Sequence, residues 1–146
     1  MAAKLAIPAH TKAAREIAEE SLVLLKNSKD MLPLDPAQYK NVAVIGANAT
    51  EVFAAGGGST KLKAKYEVTP LEGLQNLLDG KARIEYAPGY QLSKKAYKVG
   101  HWFTNEFDKS DEELYKKAIN TAAQAELVIY IGAVSYTHLR AHETLA

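Results

Sequence analysis

Residues 42–46 read VAVIG, a short apolar run that ends at a glycine. Continuous apolar runs of this length are typical of parallel strands that are buried on both faces of a sheet. The run therefore predicts the first central strand. Residues 82–87 alternate in the manner of a second strand, and residues 126–132 form another apolar run that predicts a third buried strand.

A helix is predicted ahead of the first strand, between residues 11 and 26. Apolar residues there recur close to the helical period, and charged residues occupy the other side, so the helix is amphipathic. Thr11 offers an N-cap oxygen. Asn27 and Pro33 are stop signals, which place the end of the helix before Leu32-Pro33-Leu34.

Two more helices follow the first and second strands. Thr69 is suited to cap a helix that has Pro70 at its first position, and Gly80 terminates the leucine pattern that follows. Ser110 and Glu113 have the spacing of a capping box for the third helix. Because strands and helices alternate, the chain predicts an α/β fold with a parallel sheet and right-handed crossovers. We expect an incomplete α/β/α sandwich with about three strands and three helices.

The composition excludes several partners. Lysine and arginine total 18 and aspartate and glutamate total 17, so no net field attracts nucleic acid or an anionic membrane. No apolar stretch approaches the roughly 20 residues that span a bilayer. The absence of cysteine excludes a disulfide framework and a thiolate metal site, but it leaves the compartment open. A neutral ligand such as a sugar is compatible with this balance.

A glycine loop, Gly56-Gly57-Gly58-Ser59-Thr60, lies in a segment without periodicity that leaves the carboxyl end of the first strand. In open α/β sheets, ligands bind at that end. The loop departs from a phosphate-binding P-loop because Lys61 comes after the hydroxyl residues, and the turn at Gly46 has one glycine where a dinucleotide fingerprint has several. A flexible loop without a ligand and a nucleotide-binding module both stay open as alternatives.

The order and spacing of four segments resemble the carboxyl-terminal α/β domain of glycoside hydrolase family 3, the β-glucosidases and their relatives. The segments read AREIAEESLVLLKN, MLPL, NVAVIGANAT and AAGGGST, and a TPLEG helix start follows them. The resemblance runs from about Ala14 to Gly132. It implies an enzyme that hydrolyses terminal β-linked glucose or a related sugar by a retaining double displacement, without a cofactor or a metal.

The resemblance also implies a substrate-binding role for Gly57, Gly58 and Ser59. In family members this loop borders the active site where the domain meets an amino-terminal barrel, and its serine hydrogen-bonds the sugar. Glycines let the backbone approach a ligand closely, and a hydroxyl both donates to and accepts from a sugar hydroxyl. Trp102 could likewise stack on a sugar face, although packing of its own segment, residues 88–109, is the stronger interpretation.

Neither catalytic carboxyl group of a retaining glycosidase is identified in the chain. Such enzymes need two carboxyl groups about 5 Å apart. The resemblance assigns the nucleophilic aspartate to the barrel domain, which is the expected partner, and the acid/base glutamate to an acidic loop after the third strand. Other residues stand there in this chain. We therefore expect the isolated chain to be catalytically inactive.

The last residues differ in character from the rest. Residues 134–144, VSYTHLRAHET, resemble a translated sequencing adapter or vector tail. We expect residues 1–132 to be a partial family 3 domain and residues 133–146 to be non-native. Two alternatives are weaker: a metal site from His138 and His142 lacks the metalloprotease order, and Glu143 as the acid/base residue lacks the family pattern around it.

Overall fold

The computed structural model describes residues 7–52, 64–92 and 111–132. In these ranges three α-helices alternate with three strands. The elements are α1 (Pro8–Glu20), β1 (Asn41–Ile45), α2 (Pro70–Leu78), β2 (Arg83–Ala87), α3 (Glu112–Ala123) and β3 (Leu127–Tyr130). Short 3₁₀ helices occupy Ser28–Asp30 and Ala47–Thr50. None of the helices in these ranges is long and apolar enough to cross a membrane.

The three strands form one parallel sheet with β1 in the centre, in the order β2-β1-β3. In its register Val44 lies between Tyr86 and Ile129. Val42, Ala43 and Val44 are buried, so both faces of the central strand are covered, as the VAVIG run predicts. The predicted α/β fold with a parallel sheet is confirmed.

The strand order reverses at β1. The connection through α2 runs from β1 to one neighbour, and the connection through α3 crosses back over β1 to the other. Two right-handed crossovers in opposite directions place their helices on opposite faces of the sheet. In agreement, α3 packs on β1 and β2, whereas α2 contacts the 3₁₀ helix that follows β1. The reversal creates a crevice between the carboxyl ends of β1 and β3.

The prediction of a fully buried third strand was wrong. The residues of β3 alternate between half-buried and exposed, and Val128 and Tyr130 are 46% and 65% exposed. The strand pairs with β1 on one side and is an edge of the sheet described here. An apolar run specifies a strand, but its place in the sheet decides how much of it is covered.

The first helix begins and ends earlier than predicted. It starts at Pro8, and Thr11 lies inside its first turn, where the hydroxyl donates to the carbonyl of Ile7 at 3.4 Å rather than capping the helix. Proline suits the first helical position because its φ is already helical. The helix ends at Glu20, and the Ser21 hydroxyl donates to the carbonyl of Ala18 at 2.8 Å.

The segment after α1 turns before Leu32-Pro33-Leu34. The side chain of Asn27 clamps Leu32 from both directions: its Nδ2 donates to the Leu32 carbonyl, and the Leu32 N–H donates to its Oδ1, each at 2.9 Å. The Leu32-Pro33 peptide bond is cis. Asn27 thus holds this turn through its side chain, but it does not end α1, which already ends at Glu20.

The predicted cap of α2 is confirmed, whereas the predicted cap of α3 is corrected. The Thr69 hydroxyl accepts from the Glu72 N–H at 3.2 Å, and the Glu72 carboxylate accepts from the Thr69 N–H at 2.8 Å. The predicted cap of α3 at Ser110 was wrong, because Asp111 is the N-cap and accepts from the Glu113 N–H at 3.1 Å. A carboxylate one residue closer to the helix reaches the free N–H groups of the first turn.

A single carboxylate ties the amino end of the sheet together. Glu126, which precedes β3, accepts from the N–H groups of Lys40 and Asn41 at 2.5 and 3.2 Å. These hydrogen bonds, above all that from Lys40, lower the pKa of Glu126 below its ordinary value. The carboxyl ends of the strands, where ligands bind in such folds, lie at the opposite end of the sheet.

Candidate functional site

The crevice at the carboxyl ends of β1 and β3 is the candidate site, since the strand order reverses there. Three segments approach it: residues 46–52 after β1, residues 88–92 after β2, and residues 131–132 after β3. The predicted substrate-binding residues Gly57, Gly58 and Ser59 lie outside the described residues. So do Trp102, His138, His142 and Glu143.

The ends of β1 and β3 meet at Gly46 and Ile131. A Cβ atom on residue 46 would overlap the carbonyl oxygen of Ile131, and Gly46 has a φ of +119°, which side chains rarely allow. The Ile131 N–H donates to the Ile45 carbonyl at 2.8 Å, and the Gly46 N–H donates to the Ala87 carbonyl at 3.2 Å. The glycine that closes the VAVIG run is therefore required by this close approach.

Beyond Gly46 the chain leaves the sheet through a buried turn. Ala47, Asn48 and Ala49 are buried, and the 3₁₀ helix is closed by hydrogen bonds from Ala49 to Gly46 at 3.0 Å and from Glu51 to Asn48 at 3.2 Å. A dinucleotide fold instead begins a long helix here, whose N-terminus holds the pyrophosphate. The four-residue helix Ala47–Thr50 does not have that length.

Asn48, Tyr90 and Tyr130 form a polar chain across the crevice. Asn48 is 4% exposed, and its Nδ2 donates to the Tyr90 hydroxyl at 2.6 Å. Partial burial, and after it hydrogen bonding with Tyr90, raises the pKa of Tyr130. The three side chains come from the ends of β1, β2 and β3.

These three residues were not among the predicted site residues. One signal was available: Asn48 is a polar residue in an apolar stretch directly after a buried strand. Tyr90 and Tyr130 gave no signal of their own, because tyrosine is common in strands and at their ends. Their proximity depends on the order of the strands, which spacing along the chain does not specify.

The described part of the crevice presents hydroxyl, amide and backbone groups. Glu85 of β2 pairs with Arg83 at 2.6 Å. Within residues 7–52, 64–92 and 111–132 no three histidines, aspartates or glutamates cluster as metal ligands. Groups of this kind exchange hydrogen bonds with a neutral, hydroxyl-rich ligand.

Comparison with known proteins identifies the family of this chain. Residues 22–144 match the family model of the glycosyl hydrolase family 3 C-terminal domain. The chain is 31% identical over 137 residues to the β-glucosidase BoGH3A of Bacteroides ovatus, an alignment that covers 90% of the chain and 18% of that protein. It is 30% identical over 133 residues to a β-xylosidase of Formosa agariphila, covering 87% of the chain and 16% of the relative.

A solved structure is similar over the same part. The family 3 β-glucosidase of Bifidobacterium adolescentis superposes with a TM-score of 0.65 at 28% identity, covering 87% of this chain and 16% of that one. The chain thus spans less than a fifth of the length of these relatives, at most 18%. The matched part is the parallel α/β unit described above.

Proposed function

The chain belongs to the family of glycosyl hydrolase family 3 C-terminal domains, and from that membership we propose that it is part of a retaining glycosidase acting on terminal β-glucosides or related β-glycosides. The observation that carries the proposal is the family match over residues 22–144. It is supported by relatives named β-glucosidase and β-xylosidase, to which the chain is 31% and 30% identical over the aligned residues.

The proposed role of the chain is to bind sugar through the glycine loop. Gly57, Gly58 and Ser59 follow the exit of β1, which lies at the reversal of the strand order. Ser59 would exchange hydrogen bonds with a sugar hydroxyl, and the glycines would allow the backbone to approach the ring. The neutral polar groups of Asn48, Tyr90 and Tyr130 nearby are compatible with such a ligand.

The proposed chemistry divides between two domains. A retaining glycosidase uses one carboxylate as nucleophile and a second carboxyl group as acid and then base. We assign both groups to the intact parent: the nucleophile to an amino-terminal barrel domain, and the acid/base group to an acidic loop after β3, where this chain has other residues. The chain itself would supply sugar-binding groups only, so it is inactive in isolation and needs no cofactor.

Two measurements test the proposal. The purified chain is first assayed with p-nitrophenyl β-glucoside and β-xyloside, and no turnover above background is expected; measurable hydrolysis would contradict the division of labour. The ¹⁵N-labelled chain is then titrated with glucose. We expect weak binding that Ser59→Ala reduces by about 2- to 10-fold, the effect of one hydrogen bond.

Controls separate this outcome from the nucleotide-binding alternative. Ser28→Ala removes a hydroxyl from the 3₁₀ helix before β1 and should leave glucose binding unchanged. ATP and NAD are titrated in parallel against the wild type and Gly58→Val. Nucleotide binding that depends on the glycine, without glucose binding, would overturn the sugar-binding proposal.

A further inference from the structure

The polar chain Asn48–Tyr90–Tyr130 joins residues that are far apart in sequence. Each follows or ends a different strand: Asn48 follows β1, Tyr90 follows β2, and Tyr130 ends β3. The Asn48 Nδ2 donates to the Tyr90 hydroxyl at 2.6 Å, and hydrogen bonding with Tyr90 contributes to the raised pKa of Tyr130. The backbone ladder of the sheet stops near Gly46 and Ile131, so these side chains continue the connection beyond its end.

The chain of hydrogen bonds restricts the local backbone. A buried amide that loses its partner is costly, so Asn48 holds the 3₁₀ helix in the orientation that reaches Tyr90. At the other end, the Tyr130 ring lies against Gly132, where an added Cβ would be 2.8 Å from Cε1. Two segments leave the crevice, one after Thr50 and one after Gly132. Both therefore begin beside the side chains of Asn48, Tyr90 and Tyr130.

We infer that Asn48, Tyr90 and Tyr130 are positioning residues that fix where these two segments leave the sheet. The positioning role itself does not depend on the proposed function. Only its consequence, that the sugar-binding loop starts from a fixed point, rests on the proposed function and deepens it. The tyrosine hydroxyls contribute as hydrogen-bond partners within the protein.

Amide hydrogen exchange on the full chain tests the inference directly. Three reporter amides lie at the crevice: Ala49, Glu51 and Ile131, each hydrogen-bonded to a backbone carbonyl. Two lie at the amino ends of the strands, where the Arg83 N–H donates to the Lys40 carbonyl at 2.7 Å and the Glu126 N–H donates to the Asn41 carbonyl at 2.9 Å. Local opening and global unfolding accelerate different sets of amides.

The main variant is Tyr90→Phe, which keeps the ring and removes the central hydroxyl. We expect exchange at the crevice reporters to become about tenfold faster. Exchange of the Arg83 and Glu126 amides should change less than about twofold, because only local opening is favoured. Tyr130→Phe, at a largely exposed ring, should accelerate Ile131 most. Tyr115→Phe, an exposed tyrosine on α3, is the matched control and should change neither set.

A spectroscopic signature adds a readout that stability alone would not move. In Tyr90→Phe the Tyr130 hydroxyl loses its hydrogen bond, so its ionisation, followed by tyrosinate absorbance, should shift to lower pH. The inference would be overturned by equal acceleration of exchange at the crevice and at the amino ends of the strands, or by no acceleration in Tyr90→Phe and Tyr130→Phe. Glucose titration of the same variants keeps the two proposals apart: faster crevice exchange with no glucose binding even in the wild type supports the positioning role and contradicts the proposed function.

Discussion

Gly46 at the end of β1 and Ile131 beyond β3 lie so close that a single methyl group on residue 46 would overlap the carbonyl oxygen of Ile131. The two strands stay paired up to this point, since the Ile131 N–H donates to the Ile45 carbonyl at 2.8 Å. The strand order reverses at this pair. A steric requirement at one backbone atom therefore shapes the crevice.

Gly46→Ala should destabilise the domain strongly. The positive φ of +119° costs a non-glycine residue about 1–3 kcal/mol, and displacement of Ile131 adds to that cost. Urea denaturation followed by circular dichroism should show a lower midpoint with an unchanged slope. A midpoint equal to that of the wild type would show that the ends of β1 and β3 are not held together.

Gly73→Ala should act in the opposite direction. Gly73 lies inside α2, and a Cβ there meets no atom within 4 Å. Alanine in a helix interior is more favourable than glycine by about 0.5–1 kcal/mol, because it loses less backbone freedom on folding. The same urea experiment should show a higher midpoint, and it serves as the matched control for Gly46→Ala.

Thr69→Ala should weaken α2 by about 1 kcal/mol, since it removes the side-chain half of the capping box. Thr69→Ser keeps the hydroxyl and should retain most of the stability. Thermal melts of the two variants provide the comparison. An equal loss in both would point to the threonine methyl group rather than to the cap.

Glu126 should make stability depend on pH. Hydrogen bonds from the N–H groups of Lys40 and then Asn41 lower its pKa in the folded state from an ordinary value of 4.5. A depressed pKa stabilises the fold above the unfolded value, and that contribution is lost as the pH falls through the folded value. Glu126→Gln should therefore lose less stability than the wild type between pH 6 and pH 3, as measured by urea midpoints.

The control for this titration is Glu67→Gln, at an exposed glutamate in the loop before α2. Glu67 takes no part in the hydrogen bonds that join Glu126 to Lys40 and Asn41, so this variant tests whether the loss of any one carboxylate has the same effect. If Glu126→Gln follows the wild type, the carboxylate does not tie β1 to β3 in solution. Glu72 keeps its own lowered pKa through Thr69 in all three proteins, so it cancels in the comparison.

The segment after α1 should bind hydrophobic dyes. Leu22 and Leu25 are 81% and 92% exposed, and neighbouring apolar residues are exposed as well. Contiguous exposed apolar surface favours association. The double variant Leu22→Ser and Leu25→Ser should reduce dye fluorescence and aggregation while changing the free energy of unfolding by less than about 0.5 kcal/mol. Leu78→Ser, at a buried position, should instead unfold the domain at lower urea.

Local signals in the sequence predicted much of the fold. The VAVIG run predicted a doubly covered central strand, and Thr69 with Pro70 predicted the start of α2, because each signal acts within a few residues. The start of α1 at Pro8 and the cap of α3 at Asp111 were missed. The binding roles of Gly57, Gly58 and Ser59, and the domain boundary at residue 132, stay predictions.

The sequence by itself determined the elements and the family, since apolar runs, caps and the order of motifs are written along the chain. The tertiary structure alone decided that β1 lies between β2 and β3, that β3 is half exposed, and that Gly46 needs to be glycine. It also brought Asn48, Tyr90 and Tyr130 together. Contacts between residues some 40 positions apart depend on how whole elements pack, and no local preference encodes that.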